Sequence, residues 1–206
     1  MKLAVFDFDS TLMDGETLDI IAGETNFADE IAEITAKGMR GEIDFFESLQ
    51  SRVALLKGIK LETVNDICNS LPLMNGARET IKELHKKDYK CVCFSGGFKN
   101  ATIPFAEKLN LDAEFSNIFH VKDNILTGKV GGEMMFSDSK GNMLLTLQKL
   151  LNVDYNDTLV VGDGANDLSM FKYAKNRAAF CAKEVLKKEA TIIINEKDLR
   201  LILEKI

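Results

Sequence analysis

Leu3-Ala4-Val5-Phe6-Asp7-Phe8-Asp9-Ser10-Thr11 is the stretch on which the reading of this chain turns. A short apolar run ends on two carboxylates, two residues apart. Strand side chains alternate, so a strand over residues 2–8 would set Asp7 and Asp9 on one face. Like charges that close repel, and a fold that keeps them has a use for a cation or for acid chemistry. A carboxylate can attack phosphorus and form an aspartyl phosphate. A second acid can protonate the leaving oxygen and then activate water. The pair would repel a phosphate dianion, so such a site needs a divalent metal such as Mg2+.

Outward from this strand, apolar runs bounded by turn signals predict further strands over 90–94, 158–161, 178–181 and 191–194. Helical stripes lie between most of them: Ala77, Ile81 and Leu84; Met143, Leu144, Leu147, Leu150 and Leu151; Leu168, Phe171 and Ala174. Strand–helix alternation of this kind predicts an α/β fold, a Rossmann-like parallel sheet with helices on both faces. Such sheets bind ligands at the carboxyl ends of their strands. One segment breaks the alternation. Residues 14–75 show only helical patterns, clearest in Ile43, Phe46, Leu49, Val53 and Leu56, then in Leu61, Val64, Ile67, Cys68 and Leu71. The expected organisation is a core of 1–13 and 76–206 with a helical cap of 14–75 above the first strand's carboxyl end. A cap there can exclude water. Asp123-Asn124 between β-favouring residues predicts a hairpin near 118–136.

Three more stretches carry chemistry. Cys93-Phe94-Ser95-Gly96-Gly97-Phe98 reads as a strand ending in a hydroxyl and two glycines before a helix, a ready anion cradle. Lys140, between Ser139 and Gly141 at a helix start, could neutralise a phosphoryl oxygen and hold a carboxylate. Val161-Gly162-Asp163-Gly164-Ala165-Asn166-Asp167 puts two acids on a glycine turn after a strand, as a metal site shared with the first pair requires. It is too short for an EF-hand loop and lacks its closing Glu. Together they supply a nucleophile, an acid/base, a phosphate cradle, a cation and metal ligands, the parts that phosphoryl transfer needs.

The totals agree. The chain has 206 residues and a net charge of -6, which predicts one domain, or one with an insertion, and no basic nucleic-acid surface. The N-terminal apolar run is too short and too acidic for a secretory or membrane segment. Cys68, Cys91, Cys93 and Cys181 form no C-x-x-C pair and read as reduced core thiols, with the cytoplasm as the expected compartment. His85 and His120 receive no role.

The set D-x-D-S-T, S-G-G, Lys and G-D-G-x-N-D resembles the haloacid dehalogenase superfamily of phosphatases. The whole chain resembles its phosphoserine phosphatase members, through Phe6–Leu12, Glu16-Thr17, Arg52-Val53, Phe94–Phe98, Lys140-Gly141 and Val161–Phe171. The resemblance implies Asp7 as nucleophile and metal ligand. It implies Asp9 as acid/base, with its backbone carbonyl on Mg2+, and Asp163 as the remaining metal ligand. Asp167 would support the metal's waters and Lys140. Ser95, Gly96 and Lys140 would bind the phosphoryl group, with Asn166 beside it. In the cap, Arg52 would take a substrate carboxylate and Glu16 an ammonium, while Met39 and Phe45 shield the site. By sequence alone Arg52 reads as a solvated surface residue, lying with Phe45 on nearly one helix face.

The implied reaction is Mg2+-dependent hydrolysis of O-phosphoserine, the last step of serine biosynthesis, by a monomer or homodimer with no nucleic-acid or membrane partner. Many members carry an N-terminal ACT-type regulatory domain, for which there is no room before Lys2. The alternatives are a phosphatase for another small phosphomonoester such as phosphoethanolamine, a phosphotransferase, and, remotely, a phospho-Asp signalling receiver.

Overall fold

The computed structural model describes residues 1–40 and 42–206, the side chains of residues 39 and 40 excepted. Seven strands form one sheet in the order β4-β3-β2-β1-β5-β6-β7. They are β1 (Lys2–Asp7), β2 (Tyr89–Phe98), β3 (Ala113–Lys122), β4 (Ile125–Gly132), β5 (Thr158–Gly162), β6 (Asn176–Phe180) and β7 (Ile192–Ile194). Every pairing is parallel except β3 with β4. The strand order reverses at β1, between β2 and β5, where α/β sheets open a crevice at their carboxyl ends.

The alternation along β1 divides the core. Ala4, Phe6 and, just past the strand, Phe8 enter one apolar layer with α5 (Ala77–Lys86) and α6 (Lys99–Leu109), while Leu3 and Val5 enter the other. The second layer is covered by α7 (Ser139–Leu151), α8 (Leu168–Phe171) and α9 (Glu184–Lys187). Both faces of β1 are dry, as a continuous apolar run at a sheet centre demands.

The segment between β1 and β2 holds α1 (Thr17–Ala22), α2 (Ala28–Arg40), α3 (Phe45–Leu55) and α4 (Leu61–Ser70). Asp44 caps α3 by accepting the Glu47 N–H at 2.9 Å. The chain leaves and returns side by side: Met74 N donates to Leu12 O at 2.9 Å and Asp14 N to Pro72 O at 3.1 Å. A third attachment joins the α3–α4 connection to the hairpin. Gly58 N donates to Leu126 O, Leu126 N to Ile59 O, and Leu61 N to Asn124 O, each at 2.9 Å. Leu49, Val53, Leu56, Val64 and Cys68 of this segment pack in the same apolar layer as Phe8 and Phe105. No helix among the described residues is long and apolar enough to cross a membrane.

Several expectations shift. β1 stops at Asp7, so Asp9 lies on the turn beyond it and not on the strand face. β2 ends on Ser95-Gly96-Gly97-Phe98 as the motif suggested, running past the expected limit at residue 94, with its register against β3 shifted between Phe94 and Phe98. The hairpin turn is at Asp123-Asn124, with φ of 52° and 59° as a type I′ turn needs. Its first strand starts earlier, at Ala113, and pairs parallel to β2 before turning into the hairpin. Ile43 precedes α3, and α8 is a single turn that excludes Ala174. The stripe on α7 reaches the core through Leu144, while Leu150 is 74% exposed. β6 ends at Phe180, leaving Cys181 in a left-handed conformation.

Cys68, Cys91 and Cys93 are buried and Cys181 is half-buried. Burial pushes the Cys68 and Cys91 thiols up to about 12 and Cys93 well above its ordinary value. Thiolate is the reactive form, so a thiol-specific disulfide reagent is expected to label Cys181 alone in native protein. The other three should react only after denaturation, and early labelling at Cys93 would contradict this packing.

Candidate active site

A cavity of about 520 Å³ lies at the carboxyl ends of β1, β2 and β5, beneath the helical segment. Asp7, Asp9, Gly96, Asp163 and Asn166 line its floor; Glu16, Phe45 and Arg52 line its roof. The structure therefore brings these eight expected residues to one chamber. Ser95, Lys140 and Asp167 lie beneath its surface, buried. Met39 lies outside the described side chains.

Lys140 organises the floor. Its ammonium donates to Asp7 Oδ1 and to Asp167 Oδ1, both at 2.6 Å. Burial alone would lower its pKa, but the charges of Asp167 and Asp7 outweigh that and hold it above the ordinary lysine value. It is a fully charged, buried cation, not a solvated helix-start lysine. Asp7 Oδ1 also accepts the Phe8 N–H at 2.7 Å. Both of its hydrogen bonds among the described residues thus fall on one oxygen, leaving Oδ2 available.

Asp167 is fully occupied. Its Oδ2 accepts Asp163 N at 3.0 Å and Gly164 N at 3.1 Å, while Oδ1 holds Lys140. A Cβ on Gly162 would sit 2.3 Å from Asp167 Oδ2, so only glycine ends β5 against this carboxylate. Asp163 is the opposite case. No hydrogen bond or ion pair among the described residues reaches its carboxylate. Burial, and then the charges of Asp7, Asp167 and Glu16, push it up to about 9. Burial and Asp7 likewise raise Asp167, to about 6, with Lys140 opposing.

Carboxylate oxygens of Asp7, Asp163 and Asp167 lie within 4.8 Å of one another. Hard oxygen donors around an uncompensated buried charge fit a divalent cation. Because both Asp167 oxygens already serve protein donors, Asp7 and Asp163 are the side chains with oxygens to give.

Asp9 stands across the floor. Its Oδ1 accepts Thr17 N at 2.9 Å and Thr17 Oγ1 at 2.5 Å. Burial foremost, then Glu16 and, less, Asp7, push it up to about 7 against those bonds. Such a carboxyl group holds its proton near neutral pH and can give it away. Ser95 Oγ accepts the Gly97 N–H at 2.9 Å, and the residue is buried.

The roof carries one acid and one base, Glu16 and Arg52. Ser10, at φ 56°, donates from Oγ to Glu16 Oε1 at 2.7 Å. Arg52 is half-buried, not freely solvated: among the described residues only Nε has a protein partner, Ser48 O at 3.3 Å. Burial lowers its pKa, against the charges of Asp19, Glu16 and Asp9. Phe45 closes over the floor, its Cζ 2.7 Å from where a Cβ on Gly96 would stand. Gly96→Ala must displace that ring, and Ångström-scale misplacement costs roughly 10- to 100-fold in rate. The expected result is a loss of kcat/KM in that range with an unchanged thermal midpoint; full activity would mean Phe45 does not set the chamber's shape.

A family model for haloacid dehalogenase-like hydrolases matches residues 1–175. The chain belongs to the haloacid dehalogenase-like hydrolase family. Within the family it is 60% identical over 203 residues to a phosphoserine phosphatase of Wolinella succinogenes, covering 98% of each chain. It is similar to a solved phospho-aspartyl intermediate analogue of phosphoserine phosphatase, with 46% identity and a TM-score of 0.96, over 100% of this chain and 98% of that one. A substrate-bound phosphoserine phosphatase complex aligns with a TM-score of 0.95 at 45% identity, over the same shares. Family membership removes the receiver alternative, as does the helical segment between β1 and β2.

Residues absent from the sequence expectations also line the chamber: Leu18, Thr35, Ser48, Ser137, Lys183 and Val185. None belongs to a motif. A signal for Lys183 and Val185 did exist, since they directly follow a predicted strand whose carboxyl end faces the site.

Proposed function

We propose that the chain is a Mg2+-dependent phosphoserine phosphatase that works through phospho-Asp7. The observation that carries the reading is the pairing of a phosphoryl-transfer floor with a zwitterion-reading roof in one chamber. Asp7 keeps one oxygen on Lys140 and one free, while Arg52 and Glu16 stand opposite. Asp7 and Asp163 would hold the metal, with the Asp9 backbone carbonyl as a further ligand and Asp167 fixing the cradle. The bound ion would offset the floor's negative charge and polarise a phosphoryl oxygen.

In the first half-reaction Asp7 Oδ2 attacks phosphorus and the bond to the serine oxygen breaks. Asp9 gives its proton to that oxygen from Oδ2, the oxygen that Thr17 leaves untied. In the second, the Asp9 carboxylate takes a proton from water, whose oxygen attacks the phosphorus and frees Asp7 and phosphate. Two acids this close titrate as a pair. Lys140 holds the nucleophile and meets phosphoryl charge, assisted by Ser95, Gly96 and Asn166.

Residues 14–75 act as a cap in this reading, with Phe45 and Met39 excluding water from the aspartyl phosphate. Backbone bonds tie the α3–α4 connection of this segment to the hairpin.

The test is phosphate release from O-phosphoserine, phosphoethanolamine and p-nitrophenyl phosphate, after chelation and again with Mg2+ restored. The expected outcome is metal-dependent release with a strong preference for O-phosphoserine. Metal-dependent release without that preference would keep the floor chemistry and discard the substrate.

A further inference from the structure

Four carboxylates line the chamber, Asp7, Asp9, Glu16 and Asp163, against two cations, Arg52 and Lys183. The chain as a whole carries -6. A phosphomonoester dianion thus approaches a negative protein and a chamber rich in acids. Arg52 is drawn into the roof and Lys140 is buried beneath the floor. Among the described residues, Lys183 is the exposed cation on the chamber wall.

Its backbone is fixed on both sides. Lys183 N donates to Asp163 O at 2.8 Å, and two residues earlier Cys181 N donates to Ile194 O at 2.7 Å. Lys183 then caps the start of α9 in an extended conformation. Its neighbour Glu184 is engaged with Lys187 at 3.0 Å. Among the described residues no carboxylate forms an ion pair with the Lys183 ammonium. The loop thus presents an unpaired charge at the chamber mouth from an anchored position. Its field reaches Glu16, whose proton affinity it lowers against the effect of burial.

We propose that Lys183 is the steering cation of this site, attracting the substrate's net negative charge to the chamber mouth and so setting the rate of productive capture. This rests on the phosphatase reading above and adds a residue outside all four motifs, beyond the span that the family model matches. A charge that acts before chemistry alters kcat/KM and its salt dependence while leaving kcat alone.

The experiment compares Lys183→Gln, Lys183→Glu and Lys183→Arg with the Mg2+-loaded wild type at low and high KCl. Lys188→Gln, exposed and off the chamber wall, is the control. One unit charge at the mouth is worth about fivefold at low salt. Lys183→Gln is expected to lower kcat/KM for O-phosphoserine about fivefold, and Lys183→Glu about 25-fold, with kcat within about twofold. Lys183→Arg and the control should match wild type, and the gaps should close at about 0.5 M KCl. Loss for p-nitrophenyl phosphate, also a dianion, should equal that for O-phosphoserine and exceed that for phosphoethanolamine. A fall in kcat, a gap that persists at high salt, or failure of the arginine variant would overturn the proposal. The wild type's substrate preference tests the phosphatase reading separately, since the ratios between variants can be read on p-nitrophenyl phosphate alone.

Discussion

Asp7→Asn is expected to abolish phosphate release, leaving activity at least about 10⁴-fold below wild type. The amide is nearly the shape of the carboxylate, and the Phe8 N–H and Lys140 can still reach its oxygen. What it removes is the nucleophilic charge. Asp167 remains as the counter-charge of Lys140, which keeps that buried cation compensated and spares the fold. The expected circular dichroism spectrum is therefore that of wild type. Freshly purified variant with wild-type turnover, and with deamidation excluded by mass, would remove Asp7 from the chemistry.

Arg52→Ala is the second large effect. The guanidinium is held at one point, Nε on Ser48 O, with its fork unclaimed by any protein partner among the described residues. Burial already strains its charge, so a substrate carboxylate entering the chamber meets a cation that gains from the pairing. Bidentate, partly buried contacts of this kind are worth several kcal/mol. KM for O-phosphoserine is expected to rise roughly 10²-fold with a smaller change in kcat, while p-nitrophenyl phosphate, which has no carboxylate, changes by no more than about threefold. Steady-state kinetics on both substrates checks this. Equal losses on both would make Arg52 a structural support of α3 instead.

What could be read from the sequence was whatever local chemistry dictates. Asp7, Lys140, Asp163 and Asp167 stand in short motifs at strand ends and a helix start, and those places converge on one sheet edge whatever the connecting lengths. The apolar run along 2–8 was enough to predict β1 as a strand; its place at the sheet centre comes from the structure. Local pattern is a poor guide where the chain breaks period. The turn that takes Asp9 off the strand depends on a positive φ at Ser10, a residue type that does not announce it. The apolar run alone would stop β2 at residue 94, yet the strand continues through Ser95-Gly96-Gly97 because β3 runs alongside with a shifted register. Arg52 reads as solvated because a lone arginine on a helix usually is. Its burial comes from α3 being laid over the sheet by the hairpin attachment at Gly58–Leu61, a long-range contact that no local pattern encodes. Lys183 and Val185 differ: their place just past the end of β6 was a usable signal, but a lysine and a valine outside any motif do not by themselves draw attention to it.

The central claim is that Asp7 carries the phosphoryl group. The most direct measurement is a rapid acid quench of Mg2+-loaded enzyme turning over O-phosphoserine, followed by borohydride reduction and peptide mass mapping. An acyl phosphate is reduced to an alcohol, so an aspartyl phosphate becomes homoserine. The account predicts homoserine at position 7 and nowhere else, absent when substrate is omitted. Homoserine at Asp9 or Asp163, or none at any position while phosphate is being released, would contradict it.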